Sequence, residues 1–182
     1  MTANPPAMSK KVSVEAIKAL RDKTSASLND VRAALEQSGG DEAKALAVLR
    51  ARGAAIAEKR QGRATGQGRV ETYVHHDGRM GAIVEVDCET DFVARTPEFQ
   101  QFCKDLALHV AATGPRFVKP DDVPAGESLT ENDVKAWVLL AQPFVKDPGT
   151  SIQDLVKALI AKTGENVVIR RFSRFEVGSA GA

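Results

Sequence analysis

Cysteine, aromatic side chains and long apolar runs are all scarce in this 182-residue chain. Two cysteines, Cys88 and Cys103, are too few for a disulfide scaffold and too far apart for a metal clip. Seven Phe, one Tyr and one Trp leave few large side chains for an interior, although 43% hydrophobic residues suffice to build one. The longest uninterrupted apolar run, residues 136–141, falls far short of the ~20 residues that cross a bilayer. A transmembrane protein is excluded. The first residues show neither the apolar stretch of a secretory signal nor the arginine-rich pattern of a transit peptide. The expectation is a cytoplasmic chain in a reducing compartment, with both thiols serving as small core residues.

The motifs of common enzyme classes are missing as well. No stretch matches a phosphate-cradling loop, and Gly66-Gln-Gly68 sits in a linker-like segment rather than between a strand and a helix. There is no nucleophile elbow. His75 and His76 are adjacent, so an extended backbone would send them to opposite faces, which suits no single metal ion. With Asp77 they are the acid–base cluster that a small-enzyme reading would use; a solvated hairpin turn is the plainer account. His109 falls in a helix beside its apolar stripe, and no pair of carboxylates sits in an apolar context. No metal or cofactor is expected, and nothing here argues for covalent chemistry.

What is present divides into two electrostatically different modules. Residues 1–69 hold 13 basic and 7 acidic side chains, whereas residues 70–182 hold 12 basic and 17 acidic. After a disordered tail at 1–9, residues 10–54 read as three short helices. Ser13 caps the first, with Val12 and Ile17 placed as a hydrophobic staple. Ser27-Leu-Asn-Asp30 opens the second, Gly39-Gly40 stops it, and Asp41 caps a third that ends at Gly53. So small a bundle leaves little room for a buried catalytic site, and such bundles mostly serve to bind. Residues 55–69 read as a basic linker. The alternative is a small-bundle adaptor with weak RNA binding through Lys59, Arg60, Arg63 and Arg69, but interleaved aromatics are absent and no specific nucleic acid is expected.

Residues 70–178 read as an α+β core, followed by a short tail at 179–182. Two β-prone runs flank Asp77-Gly78, a strong hairpin signal. In the second run Ala82, Val84, Val86 and Cys88 alternate with Glu85, Asp87 and Glu89, which means one buried face and one wet face. Thr96-Pro97 opens a helix with an apolar stripe through Phe99, Phe102, Cys103, Leu106 and Val110, closed by Gly114-Pro115. A shorter helix covers 130–141, and Ser151 caps another that closes at Gly164. The last strand, 167–177, changes parity around Ser173, where a bulge is expected. The sum is a three-helix bundle followed by about three antiparallel strands packed with helices.

One segment resists a bland account. Residues 88–95 leave a strand and enter a helix, so Asp91 and Phe92 stand where side chains can project from a rigid frame. By spacing alone, Thr90 or Asp91 caps a turn and Phe92 tucks into the core; projection of Phe92 is the sharper reading. Glu85-Val-Asp-Cys-Glu-Thr-Asp-Phe-Val-Ala-Arg95 resembles the signature of the elongation factor Ts family. The resemblance extends to Ile17-Lys-Ala-Leu-Arg-Asp-Lys-Thr24, the helix from Gly40 to Gly53, and the hairpin His76-Asp-Gly-Arg-Met-Gly81. It continues through Phe117-Val-Lys-Pro-Asp-Asp-Val123, Gln142-Pro-Phe-Val-Lys-Asp-Pro148, Lys162-Thr-Gly-Glu-Asn166 and Arg174-Phe-Glu-Val-Gly178.

That resemblance implies a guanine-nucleotide exchange factor for the GTPase elongation factor Tu, acting by binding and without covalent chemistry. It implies that the first module is a bundle like the ubiquitin-associated domain, with Arg21, Leu28 and Asn29 at family contact positions. Many relatives carry Met-Met where this chain has Leu28-Asn29, and glycines where it has Ser25 and Ser27. It further implies that Asp91 and Phe92, flanked by Thr90 and Val93, work against the GTPase near its magnesium site, and that Thr163 and Gly164 form a second contact segment. Longer members of the family carry two tandem cores. A chain with one core is therefore expected to form a homodimer through sheet edges or the last strand.

Overall fold

A computed structural model describes residues 12–24 and 26–179. The expected tail at 1–9 and Ser25 lie outside these residues, and of the tail at 179–182 only Ser179 is described. Three helices open the chain: α1 (Val14–Thr24), α2 (Leu28–Gln37) and α3 (Glu42–Arg60). Each begins on a side-chain oxygen that accepts an otherwise orphaned amide. Ser13 takes the N–H of Ala16, Ser27 that of Asp30 and Asp41 that of Lys44, at 3.0–3.1 Å. Their apolar stripes meet in a small cluster of Leu20, Val31, Ala34, Leu35 and Ala45, with Val12, Ile17, Leu46 and Leu49 packed around it.

The third helix overruns its expected stop. Gly53 lies inside α3, because helix α7 (Ile152–Thr163) packs along this stretch and outweighs the local cost of a glycine of ~1 kcal/mol. A Cβ at Gly53 would lie 3.7 Å from the Lys157 carbonyl oxygen and 3.8 Å from Ala161 Cβ, which is ordinary van der Waals contact. Gly53→Ala is therefore expected to stabilise the protein by about 0.5–1 kcal/mol, a rise of roughly 1–4 °C in melting temperature by calorimetry. The stretch read as a flexible linker is correspondingly short. Helix runs to Arg60 and strand begins at Gln67, so only residues 61–66 connect the two.

The sheet has the order β1 (Gln67–Val74), β2 (Met80–Cys88), β5 (Val167–Glu176), all antiparallel with β2 in the centre. Strand β1 starts three residues earlier than its hydrophobic run because Gly68 carries no Cβ; one there would collide with the Val86 carbonyl oxygen. Glu85 pairs with Arg171 and Val86 with Ile169, which leaves Arg170 as the bulge residue. The parity change thus falls three residues before Ser173. Ala82, Val84, Val86 and Cys88 are buried with Val167 and Ile169 in one core, which also holds Phe99, Cys103, Leu106 and Val110 of α5 (Pro97–Thr113). Both cysteines are buried there, and burial pushes the Cys88 thiol up to about 11 and that of Cys103 to about 12.

A smaller unit closes the far end. Helix α6 (Glu131–Trp137) is shorter than the 130–141 expected, because the amides of Arg116 and Phe117 both donate to the Trp137 carbonyl and draw Val138 into a bridge with Phe117. Two short strands follow, β3 (Pro143–Phe144) and β4 (Asp147–Ser151), which the sequence pattern did not announce. His109 binds this unit to α5. It is fully buried rather than flanking its stripe: the Val145 N–H donates to Nδ1 at 3.3 Å, so the proton sits on Nε2 and donates to Gln142 Oε1 at 2.9 Å. Burial holds its pKa below the usual value of 6.5, with the Gln142 bond opposing in part. The unfolded chain therefore takes up a proton that the fold refuses, so stability is complete above pH ~6.5 and falls as the pH drops below it. Urea unfolding at pH 7.5 and 5.5 should show this loss, with a smaller difference in His109→Gln.

Candidate functional site

Past the last ladder pair, Cys88 with Val167, strands β2 and β5 part company. One continues into the single turn of α4 (Asp91–Ala94), the other comes from the turn that follows α7. Two backbone amides would be orphaned at this fork, and two carboxylates take them. Glu165 accepts the Thr90 N–H at 3.0 Å and the Thr90 hydroxyl at 2.6 Å. In the opposite direction Glu89 accepts the Asn166 N–H at 2.7 Å. That amide holds the Glu89 carboxyl below its usual range against the opposing effect of burial, with Arg63 at 3.4 Å adding to the lowering. The Asn166 side chain donates in turn to the Arg63 carbonyl at 2.9 Å.

Thr90 caps α4 by accepting the Val93 N–H at 3.4 Å. The turn then sorts its side chains by direction. Ala94 is buried and Val93 packs against the core, which sends Phe92 outward, 80% exposed. Phe92 does not tuck into the interior. Asp91 is half-exposed and pairs with Arg95 at 3.0 Å. Across the fork, Thr163 spends its hydroxyl within its own turn, donating to the Leu159 carbonyl at 2.9 Å and accepting the Glu165 N–H at 3.3 Å. Gly164 ends α7 in the left-handed conformation (φ 72°), which a side chain would resist, with the Arg60 guanidinium close by.

Thr90, Asp91, Phe92 and Val93 thus meet Thr163 and Gly164 at one end of the core. Arg21, Leu28 and Asn29 are exposed on the bundle, on α1 and α2 rather than on the core. Helix α3 spans the gap: Leu46 belongs to the bundle cluster and Arg60 reaches Gly164, roughly 20 Å apart at 1.5 Å per residue. The basic stretch loses much of its free charge, since Arg63 pairs with Glu89 and Arg69 with Glu71. The His75 and His76 rings do not point to opposite faces. They lie 4.2 Å apart because the hairpin turn ends the extended backbone, and His75 Nδ1 is bonded to the Tyr73 hydroxyl at 3.0 Å. Among the described residues no three His, Cys, Asp or Glu are grouped to hold a metal.

Sequence reasoning missed Glu89, Glu165, Asn166 and the role of Arg63. Their motifs were in view, but the bond from Thr90 to Glu165 spans 75 residues and leaves no local periodicity.

Comparison with known proteins is consistent along the chain. The family model described as Elongation factor TS matches residues 7–136. The Elongation factor Ts of Rubrobacter xylanophilus is 48% identical over 191 residues, covering 90% of this chain and 98% of the relative. That of Herpetosiphon aurantiacus is 44% identical over 92% of this chain and 98% of its own, and that of Thermotoga neapolitana 42% identical over 93% and 99%. A match of this extent, on a chain whose signature segment forms an exposed aromatic turn, places the protein in the elongation factor Ts family.

Proposed function

We propose that this chain is a guanine-nucleotide exchange factor that binds elongation factor Tu and promotes GDP release during translation elongation. The observation that carries the reading is Phe92, a large aromatic 80% exposed on a turn anchored in the core by its neighbours Val93 and Ala94. A phenyl ring is a rigid wedge with only two rotatable angles, so presenting it costs little entropy at the moment of binding. Driven between elements of the GTPase, it displaces those that hold magnesium and the phosphates. Asp91 exchanges its bond to Arg95 for one to the partner and fixes the register of insertion. Gly164 has no side chain of its own to stand between its backbone and the partner, and Thr163 lies beside it.

The bundle, residues 10–54, acts as the gripping module through Arg21, Leu28 and Asn29, and the core of residues 70–178 does the prising. The factor need not touch the nucleotide. If it prefers the nucleotide-free GTPase, GDP must weaken its binding by the same factor. A preference of about 10⁴-fold corresponds to about 5.5 kcal/mol, which one aromatic hot spot and a few polar contacts largely supply. No covalent step is involved, the work is done in the cytoplasm, and the working form is a homodimer joined core to core. Release of a fluorescent GDP analogue from purified elongation factor Tu, with and without this protein, is the test. Acceleration at substoichiometric protein supports the reading; an unchanged rate at excess protein removes it.

A further inference from the structure

A helix of four residues cannot hold itself together in water, because nucleation fixes several dihedrals for a single backbone bond. The order of α4 therefore has to come from its surroundings. One side is fixed by burial of Ala94 and packing of Val93. The entry is fixed by Thr90, and Thr90 is fixed by a carboxylate from the other end of the chain. Its hydroxyl proton points to Glu165 Oε1 at 2.6 Å, which leaves a lone pair facing the Val93 N–H. Its backbone N–H goes to Glu165 Oε2 at 3.0 Å. Rotation of Thr90 away from Glu165 would break the charged bond and the helix cap together.

Glu165 is itself held on both flanks. Its own N–H donates to Thr163, Gly164 before it is locked in the left-handed region, and Asn166 after it is tied back to Glu89. The two carboxylates cross the fork in opposite senses. The aromatic turn and the Gly164 turn are consequently one unit, and neither moves without the other.

We infer that Glu165 is the positioning residue that aims Phe92, acting through the hydroxyl and amide of Thr90 from the facing turn. The inference rests on the exchange reading above and extends it to a residue that touches neither nucleotide nor wedge. Glu165→Ala leaves the buried core intact but frees the entry to α4, so the ring samples many directions and few are productive.

The test is a mutant cycle on release of the fluorescent GDP analogue from elongation factor Tu. Glu165→Ala should slow release about ten-fold, as loss of a charge-assisted hydrogen bond does, with the melting temperature shifted by only a few degrees. In a Phe92→Ala background the same change should cost less than about two-fold, because residues acting through one another are not additive. A wild-type rate in Glu165→Ala, or the full loss persisting without Phe92, overturns the inference. Amide hydrogen exchange of the free chain decides it independently of the exchange reading. The Ala94 and Arg95 amides, bonded to the Thr90 and Asp91 carbonyls, should exchange about ten-fold faster in Glu165→Ala and in Thr90→Val, while those of β2 stay unchanged. Unchanged exchange in α4 overturns it. Should the wild-type protein fail to accelerate GDP release, the exchange reading falls, and the protection of α4 still rules on Glu165.

Discussion

Phe92→Ala is expected to slow GDP release from elongation factor Tu by about 100-fold, equivalent to about 2.7 kcal/mol, the range of an aromatic hot spot. The same substitution should leave the melting temperature of the chain within about 1 °C, since a side chain 80% exposed contributes little to its own fold. That combination is diagnostic. A core phenylalanine such as Phe99, fully buried, would show the reverse: truncation costs about 3–5 kcal/mol of stability, and activity is lost only through unfolding. Phe92→Leu should fall between, keeping apolar volume but losing the flat ring. Stopped-flow release with the three variants, beside calorimetry of each, separates the cases. A rate within two-fold of wild type for Phe92→Ala would move the wedge to another side chain, and Leu28, 54% exposed on the bundle, is the next to test.

The parts of this structure that were legible in the sequence are those governed by neighbours along the chain. Alternation from Ala82 to Cys88 gave the two faces of β2, and Ser27, Asp41, Thr96 and Ser151 marked helix starts because each bonds an amide three residues on. What remained hidden was set by contacts across the fold. Gly53 looked like a stop, but a helix flanked by α7 tolerates a glycine that an isolated helix would not. His109 looked peripheral because its partners, Gln142 and Val145, lie 33 and 36 residues away. The bulge appeared near Ser173 in the apolar pattern, yet Arg170 takes it, its guanidinium reaching out to Asp87 at 2.7 Å. At the candidate site the same division holds. The motif announced Asp91 and Phe92, whereas the carboxylate that ties their turn to Gly164 could be seen only once residues 90 and 165 were brought together.

Phe175→Asp is expected to convert the proposed homodimer to monomers. The sheet covers one face with α5 and leaves the other open, where Val70, Val74, Ile83 and Phe175 are exposed, Phe175 by 72% and Val74 by 68%. Gly81 pairs with Val74 on one side and Phe175 on the other, so these two side chains flank a shallow trough across three strands. Apolar residues gathered on one open face mark an interaction surface. A second copy is the occupant we propose, because a two-fold axis would set Phe175 of each core over the trough of the other. The free edge of β5 suits pairing less well, since Arg170, Arg171 and Arg174 crowd that strand and charge discourages edge-to-edge addition. A carboxylate at position 175 would be buried unpaired in such an interface, at a cost exceeding about 3 kcal/mol, or more than 100-fold in dissociation constant. Light scattering at concentrations of about 10–50 µM should report twice the chain mass of 19.5 kDa for wild type and the single mass for Phe175→Asp. A monomeric wild type at those concentrations would remove the homodimer, and a variant that stays dimeric would shift the contact from the open face to the strand edge.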